Sequence, residues 1–287
     1  MKKVEVFRSK KNSLLYWFPL VKDLGIPVPL TKWVAFPQEI TRLILSEEGD
    51  AHDKRLADER FEACLVKLRA VAKEIGYPVF LRTDSASDKH GWEKTAFVRN
   101  ESELESHILE TIEFNEMAGM LGLNYEAIVL REFLELDWRF KAFHGRMPVA
   151  KERRYFVKDG DVICSHPYWF EDAIQQAHNI DGTRSDFMGY FPHKLPNTWE
   201  KMLEEINYES IVELGKLRAY ALLVSDAVKG YWSVDFACTR DGKWYLIDMA
   251  LGFASEHYPD CPKKLEFRKK TTPLEALKKS NEENKGK

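Results

Sequence analysis

The stretch Gly230–Gly252, GYWSVDFACTRDGKWYLIDMALG, carries the pattern from which the rest of the fold is worked out. Two apolar runs flank the dipeptide Asp241-Gly242, which is favoured in two-residue hairpin turns of type I′. A turn at this dipeptide pairs the two runs as strands and places Asp235 directly opposite Asp248. The stretch therefore predicts a hairpin with one acid on each strand.

The two opposed acids need a partner. Directly opposed residues in an antiparallel pair have Cβ atoms about 4.5–5.5 Å apart, and like charges at that separation repel. The residues around Asp235 and Asp248 are apolar or aromatic, so two bare carboxylates there are costly to desolvate. A bound cation resolves the conflict, and carboxylate oxygens suit Mg²⁺. A proton held by one acid and an arginine lying between the two acids are the alternatives. The same register pairs Ala237 with Leu246.

Composition describes an ordinary globular chain. Its 287 residues, 44% apolar and 31% charged, are enough for one large domain or two closely packed ones. The formal charge of -3 gives no reason to expect a nucleic-acid or membrane partner. No stretch approaches the roughly 20 apolar residues that span a bilayer. We therefore expect a soluble, cytoplasmic protein.

The cysteines and histidines show no metal-ligand spacing. The four cysteines are far apart in sequence, without a CxxC pair or a zinc pattern: Cys64, Cys164, Cys238 and Cys261. This usage predicts reduced thiols in a cytoplasmic protein. Among the histidines, His257 alone draws attention, because it follows the hairpin closely.

Helices and strands alternate through the rest of the chain. Apolar spacing predicts helices over residues 14–24, 58–75, 101–117 and 208–228. Strands are predicted at 4–7, 78–82, 95–98 and 127–134, and antiparallel strands within 137–166, with turns at His144-Gly145 and Asp159-Gly160. Alternation puts Glu152 and Arg154 on one strand face and Arg153 on the other, so at most one of these arginines faces a given cleft.

The order of these elements resembles the ATP-grasp superfamily over residues 20–260, approximately. The resemblance rests on a strand ending in Arg82, a polar loop, an REFL segment, an E-x-R strand, a helix and the two-acid hairpin. It is closest to ATP-grasp proteins from phage and prokaryotic genomes. It implies an α+β fold in which two α+β subdomains with mainly antiparallel sheets hold ATP between them. The implied division is 1–57 as an N-terminal segment, 58–130 and 131–262 as the subdomains, 167–200 as an insertion or lid, and 263–287 as a charged tail.

The resemblance also implies roles for particular residues around ATP. Arg82 falls where the family has a lysine that touches the phosphates, and Arg supplies the same charge with a bidentate fork. Residues 83–91 correspond to the flexible loop over the phosphates, with Lys89 as its phosphate contact. The segment Arg131-Glu132-Phe133-Leu134 corresponds to the linker whose backbone recognises adenine. Glu135 or Asp137 is then placed to accept the ribose hydroxyls.

The remaining implied roles concern catalysis and metal. Glu152 and Arg154 correspond to the E-x-R strand, with Arg154 reaching the phosphates or an acyl-phosphate intermediate, although Asp137-Trp138-Arg139 is a competing acid-x-Arg pair. The metal acids correspond to Asp235 and Asp248. The family usually ends this site with Glu-x-Asn, whereas this chain has Asp248-Met249-Ala250. Either Glu256 or His257 substitutes, or one ion binds, or catalysis is altered.

The activity implied by the resemblance is that of a Mg-ATP-dependent ligase. It would join a small-molecule or peptide carboxylate to an amine or thiol through an acyl phosphate. The missing Asn equivalent at Ala250 leaves a non-catalytic ATP-binding module as the alternative. A nucleotidyltransferase using Lys89, as in RNA ligases, is a third possibility, but its Lys-x-Asp-Gly signature is absent because the sequence is Lys89-His90-Gly91-Trp92.

Overall fold

The structure is a computed structural model. It describes residues 9–36, 40–41, 51–89, 91–120, 124–143, 145–176 and 194–263. The predicted strand at 4–7, half of the predicted insertion (177–193), the tail after residue 263, His90 and His144 lie outside the described residues. Among the described helices, none is both long enough and apolar enough to cross a membrane.

The described strands pair in an antiparallel manner throughout, as predicted. In chain order they are β1 (Thr31–Ala35), β2 (Val79–Thr83), β3 (Phe97–Val98), β4 (Ala127–Glu132), β5 (Trp138–Ala142), β6 (Met147–Ala150), β7 (Glu152–Lys158), β8 (Asp161–Pro167), β9 (Tyr231–Cys238) and β10 (Trp244–Leu251). The first sheet has the order β1-β4-β2-β3, the second sheet has the order β10-β9-β7-β8, and β5 pairs with β6. The predicted α+β class is confirmed.

Six described helices accompany these strands. They are α1 (Leu14–Val21), α2 (Ala51–Ile75), α3 (Glu101–Met120), α4 (Glu171–Gln176), α5 (Trp199–Asn207) and α6 (Ile211–Ala227). Helix α2 begins seven residues before the predicted start at 58. The prediction missed these first turns because they are polar and carry no apolar stripe. Helix α1 ends at Val21, short of the predicted residue 24. Helix α6 begins at Ile211 rather than 208, because Ser210 and Glu213 form a capping box there.

Each sheet has its own apolar core. Helices α2 and α3 pack on one face of the first sheet. Helices α1 and α6 pack on one face of the second sheet, where Tyr155 and Val157 of β7 are fully buried. The opposite face of β7 carries Glu152 and Arg154, as the alternation predicted. Those faces of the two sheets that carry no helix are therefore available to line a cleft.

The hairpin of β9 and β10 has a different turn from the predicted one. Thr239 donates its N–H to the carbonyl of Lys243 at 2.9 Å, so the loop between the paired residues contains three residues. Gly242 adopts φ +80°, which is typical of a three-residue loop closed by a left-handed residue. The predicted two-residue type I′ turn is therefore wrong. Near the turn Ala237 pairs with Tyr245, and not with Leu246 as predicted.

A β-bulge in the same hairpin offsets the change of register that the three-residue loop introduces. The register shifts by one residue between Leu246 and Asp248, which is a β-bulge. Beyond the bulge Asp248 pairs with Asp235 and Met249 pairs with Val234. The predicted opposition of Asp235 and Asp248 is therefore confirmed, although the turn that led to it is not.

Candidate functional site

Two adjoining cavities lie between the first and second sheets. The first has about 680 Å³ of space between its lining atoms and the second about 700 Å³, in both cases including space open to solvent. Ser87, Lys89 and Asp248 line both cavities. Because they share these residues, the two cavities can hold adjacent parts of a single ligand.

The first cavity is walled largely by aromatic and aliphatic side chains. The rings of Phe97 and Phe133 have centroids 4.6 Å apart, and Trp92 stacks on Phe97 at 5.9 Å. Arg131, Glu132, Phe133 and Leu134, the predicted adenine linker, all belong to the lining. We call this first cavity the apolar slot.

Arg131 lies at the base of the apolar slot as a buried cation. Its Nη1 donates to the carbonyl oxygen of Ile247, and its Nε donates to Thr31 Oγ1 at 3.1 Å. Burial, with the charge of Arg82 adding to it, lowers the pKa of Arg131 to about 9, so the group is charged at neutral pH. Its buried Nη2 makes no hydrogen bond within the described residues, which leaves a donor for an anionic or carbonyl acceptor.

Arg82 joins the first sheet to the hairpin. Its Nη1 lies 3.1 Å from Asp248 Oδ1, and its Nε donates to the Thr83 carbonyl at 2.9 Å. Burial alone would raise the pKa of Asp248, but Arg82, Lys89 and Arg131 outweigh that effect and the pKa is lowered. Asp248 is therefore ionised in a half-buried position because basic side chains surround it.

Asp84, two residues after Arg82, does not compete for its side chain. Its Oδ1 accepts the N–H groups of Glu126 and Ala127 at 2.8 and 3.0 Å, and its Oδ2 accepts the hydroxyl of Ser13 at 2.6 Å. Asp84 therefore fixes the start of β4 and leaves Arg82 for the cleft.

Arg154 and Asp235 form a bidentate ion pair across β7 and β9. Arg154 Nε and Nη2 each lie 2.7 Å from one Asp235 oxygen. The guanidinium of Arg154 also lies over the ring of Tyr168, 4.6 Å from its centroid. Arg153 points the other way and donates to the carbonyls of Ile206 and Tyr208 beneath the helices. Only Arg154 of the two faces the cleft, as predicted.

Lys89 lies where the two cavities meet. Its Nζ is 3.9 Å from Glu152 Oε2 and 5.0 Å from the centroid of the Tyr168 ring. Burial works to lower the pKa of Lys89, but Tyr168, Glu152 and the two hairpin acids outweigh it and the pKa is raised. Lys89 is therefore a stable cation, which suits a phosphate contact and disfavours the role of a covalent nucleophile.

Glu152 has an incomplete set of partners. Trp169 Nε1 donates to its Oε1 at 3.2 Å, whereas its buried Oε2 accepts no hydrogen bond among the described residues. Burial raises the pKa of Glu152, and Lys89 opposes that rise only in part. A carboxyl group of this kind is a candidate ligand for a cation or a proton.

The second cavity, which we call the polar cavity, is lined by the hairpin acids. Asp235 and Asp248 face it together with Arg154, Tyr168 and Ser233, among other residues. Carboxylate oxygens are the ligands that Mg²⁺ prefers, so this donor set fits one Mg²⁺ carried with a polyphosphate. Each acid already has an arginine partner: Arg154 pairs with Asp235 and Arg82 pairs with Asp248. An arginine as the partner of the acids was one of the alternatives that the sequence left open.

The position at which the family usually has an asparagine also lies at the polar cavity. Ala250 lines it and offers no side-chain ligand. Of the described residues that line either cavity, none is Glu256 or His257. His257 instead bonds Tyr231 through Nε2 at 2.7 Å and lies against Cys164. The structure thus places neither predicted substitute beside the acids.

The two predicted ribose acids do not line the apolar slot. Asp137 forms an ion pair with Arg139, the competing acid-x-Arg pair of the sequence, and both lie outside the linings. Glu135 is exposed, and its carbonyl oxygen accepts the N–H of Arg240. A ribose contact by Asp137 would require its ion pair with Arg139 to open.

Tyr168 is a site residue that the sequence did not indicate. Its ring lies under both Lys89 and Arg154, at 5.0 and 4.6 Å from their charged groups. It begins the aromatic segment predicted as an insertion, where weak periodicity gave no face to assign. Aromatic faces attract cations in this geometry, so Tyr168 fixes the direction of both side chains.

Comparison with known proteins identifies the family at this point. The family model of the ATP-grasp domain, R2K clade family 3, matches residues 73–279, which is more than half of the chain. The chain belongs to this family. Membership supports an ATP-grasp function of the ligase type, and comparison with curated proteins gives no match.

Solved structures similar to this R2K-clade chain include several ATP-grasp proteins. The ATP-grasp ligase PsnB complexed with minimal precursor has a TM-score of 0.40 at 14% identity, covering 87% of this chain and 54% of its own. C-terminally truncated Cdc123 from Schizosaccharomyces pombe has a TM-score of 0.48 at 14% identity, covering 92% of this chain and 90% of its own. N5-carboxyaminoimidazole synthase from Aspergillus clavatus, in complex with ADP and its ribonucleotide, has a TM-score of 0.41 at 13% identity, covering 87% and 45%. The chain thus spans about half the length of the PsnB ligase.

Proposed function

We propose that this ATP-grasp chain binds Mg-ATP in the cleft between its two sheets and uses it to activate a carboxylate. The base would occupy the apolar slot, against Phe133 and the backbone of the segment that follows β4. The triphosphate would extend past Lys89 into the polar cavity. The observation that carries this proposal is that an apolar slot opens directly into a charged cavity, with Lys89 and Asp248 in both linings.

The basic side chains suit phosphoryl transfer from a nucleotide. Arg82 and Arg154 pair with the hairpin acids Asp248 and Asp235. Lys89, from a third segment, lies near Glu152 of β7. Phosphoryl transfer needs little covalent chemistry from the protein, and its rate comes from positioning and charge stabilisation. Arg154 and Lys89 are accordingly the proposed catalytic residues, with Arg82 and Arg131 as further contacts to the nucleotide.

The proposed reaction has two steps. A substrate carboxylate oxygen attacks the γ-phosphorus and ADP leaves, which gives an acyl phosphate. An amine or thiol then attacks the acyl carbon and inorganic phosphate leaves, which gives an amide or thioester. Mg²⁺ held by Asp235 and Asp248 would neutralise phosphate charge. The substrate would be a small-molecule or peptide carboxylate that enters the polar cavity.

Binding and turnover can be tested separately. Calorimetric titration of the full chain with ADP and Mg²⁺ should detect binding, and Lys89→Met should weaken it about tenfold or more, the loss expected for one charged phosphate contact. Lys94→Met is the matched control, because Lys94 is an exposed lysine of the same loop and should leave affinity within about twofold. Equal affinities for the two variants, or no binding by the wild type, would refute the site.

Turnover is tested by trapping the acyl phosphate. Incubation with ATP, Mg²⁺, hydroxylamine and a panel of carboxylic acids and peptides should yield ADP and a hydroxamate for at least one acid. Lys94→Met should keep this yield and Arg154→Met should abolish it. Hydroxamate formation that is unaffected by Arg154→Met would refute the catalytic role of Arg154.

One observation favours a second candidate, an ATP-binding module without ligase activity. Ala250 offers no metal ligand, and both hairpin acids already hold arginines. Tight Mg-ADP binding by the wild type, without ADP release or hydroxamate for any acid, would support this candidate and exclude the ligase.

A further inference from the structure

Three potential metal ligands meet at the outer strand of the second sheet, and a fourth, Cys261, lies next to one of them. The ligand atoms of Cys164, His166 and His257 all lie within 4.8 Å of one another. Cys164 and His166 are two residues apart on β8, so their side chains share one face. The thiol of Cys261 lies near that of Cys164 and outside this group of three. The sequence gave no sign of this cluster, because its two halves are separated by about 90 residues.

The separation of the ligand atoms suits zinc. Cys164 Sγ and His257 Nδ1 lie 3.5 Å apart. In a tetrahedral site with Zn–S near 2.3 Å and Zn–N near 2.05 Å, sulfur and nitrogen are separated by about 3.6 Å. The pair is therefore already at the edge length of a zinc tetrahedron.

The protonation of His257 is compatible with a metal at Nδ1. Its Nε2 lies 2.7 Å from the Tyr231 hydroxyl, whose oxygen can accept a hydrogen bond from an N–H at that nitrogen. A zinc-bound histidine commonly donates its other N–H to an oxygen in this way, which fixes the tautomer and the ring orientation. The ring is also stacked on Phe156 at 3.7 Å, so it is held in one place.

Metal binding by His166 requires the loss of one hydrogen bond. Its Nδ1 lies 3.0 Å from the Pro167 carbonyl, which can only accept, so Nδ1 carries the proton and Nε2 has the lone pair. That lone pair accepts the N–H of Tyr258 at 3.1 Å. Zinc binding would replace this single hydrogen bond by a Zn–N bond, with Tyr258 turning away.

We propose that Cys164, His166, His257 and Cys261 form a structural Zn²⁺ site. Two thiolates and two neutral imidazoles neutralise the ion, which suits a cluster in which His257 is buried and the other three residues are half-buried. With four protein ligands the site is closed, so it serves structure and not catalysis. A thiol must lose its proton to bind zinc, so zinc binding should release protons.

The proposed zinc would hold one wall of the polar cavity. His257 and Cys261 lie in the segment that follows β10, and Ser255 of this segment contacts the hydroxyl of Ser233 at 2.6 Å. Both serines line the polar cavity. A zinc ion would fasten this segment to β8, and the proposal does not depend on the nucleotide chemistry of the cleft.

Elemental analysis and cobalt substitution test the site directly. The full chain, purified under reducing conditions without chelator, should contain about one zinc per chain. After removal of zinc, Co²⁺ should give the near-ultraviolet charge-transfer absorption of a cobalt thiolate. A wild-type chain with no zinc and no cobalt–thiolate absorption would overturn the proposal.

Variants assign the ligands. Cys164→Ser and Cys261→Ser should each lose the stoichiometric zinc, whereas Cys64→Ser, a change at a buried cysteine of the first sheet's core, should retain it. Tyr231→Phe removes only the hydroxyl that orients His257 and should weaken zinc about 10–100-fold. If the cysteine variants do not fold, the wild-type cobalt spectrum and Tyr231→Phe still decide the question. Zinc retained at full stoichiometry by a folded Cys164→Ser would refute the assignment.

Discussion

Replacing Asp235 by Asn should destabilise the chain in the absence of nucleotide and metal. Its side chain is 7% exposed and accepts two hydrogen bonds of 2.7 Å from Arg154, which is 16% exposed. Breaking a buried pair by removing one partner typically costs about 3–5 kcal/mol, because the other charge remains buried. Loss of repulsion from Asp248 offsets a part of this. That repulsion acts over a longer distance, with Cβ atoms about 5 Å apart, and Arg82 already opposes it.

The expected net loss for Asp235→Asn is about 3 kcal/mol, or a fall of about 6–12 °C in Tm. Thermal melts of the apo protein, followed by circular dichroism, measure it, with Asp226→Asn on the exposed face of α6 as a control expected within about 0.5 kcal/mol. Arg154→Leu should cost a similar amount. The double variant should lose less than the sum of the two, by about 2–3 kcal/mol.

The hairpin register alone predicts the opposite sign for Asp235→Asn. If the two facing acids only repelled each other, removing one charge would leave the apo fold equally stable or more stable. An unchanged or raised Tm for Asp235→Asn, together with additive effects in the double variant, would therefore refute the argument. The acids would then depend on a bound cation.

Three further predictions concern single side chains, each measured by thermal melts against the wild type. Burial raises the pKa of Glu152 above its ordinary 4.5, so the folded state holds that proton more tightly and the wild type should lose stability relative to Glu152→Gln as pH rises above 4.5; a pH-independent difference would contradict this. Ser210→Ala removes the capping box with Glu213 and should cost about 1 kcal/mol; no loss would mean that packing alone sets the start of α6. Gly252→Ala would push a Cβ into the ring of Tyr231 and should cost about 1–3 kcal/mol, and an unchanged Tm would show that the ring can move.

The fold was predictable where one periodicity dominates. The apolar spacing over residues 58–75 and the alternation along β7 each predict an element and its buried face, and the structure agrees. In α6 the agreement is partial, because Leu217 is buried whereas Ile211 and Leu214 are exposed. Boundaries failed where local chemistry decides them. The polar first turns of α2 are ordered with no apolar spacing to mark them, and β1 was missed because only Val34 among its residues is buried.

The hairpin shows why a correct contact can follow from an incorrect turn. Asp241-Gly242 suits a two-residue loop as well as a three-residue loop with Gly242 in the left-handed region. No pattern in the sequence predicts the β-bulge before Asp248. The two one-residue shifts compensate because each strand must keep one face toward the core, and a net slip would turn every side chain over. Burial therefore fixed the pairing of the acids independently of the loop.

The sequence predicted which residues line the candidate site, but not which of them pair with one another. Arg82, Lys89, Arg154, Asp235 and Asp248 all reach the cleft, because each lies on a strand or loop whose direction follows from the motif order. Their pairing depends on how the two sheets face each other, which no local pattern records. For the same reason Tyr168 was missed, and Asp137 lies outside the linings of both cavities.

The ion pairs change what two facing acids imply about the metal. From the register alone the acids demand a cation, and in the structure Arg82 and Arg154 supply that charge. Guanidinium groups also match phosphate oxygens, so a polyphosphate entering the polar cavity would compete with the acids for the same two side chains. Under the proposed function, phosphates that take the arginines leave Asp235 and Asp248 to Mg²⁺. Nucleotide and Mg²⁺ would then each raise the affinity of the other, since such coupling is reciprocal. The apo fold needs no magnesium on this account, because the charge that the ion would bring is already supplied by the protein.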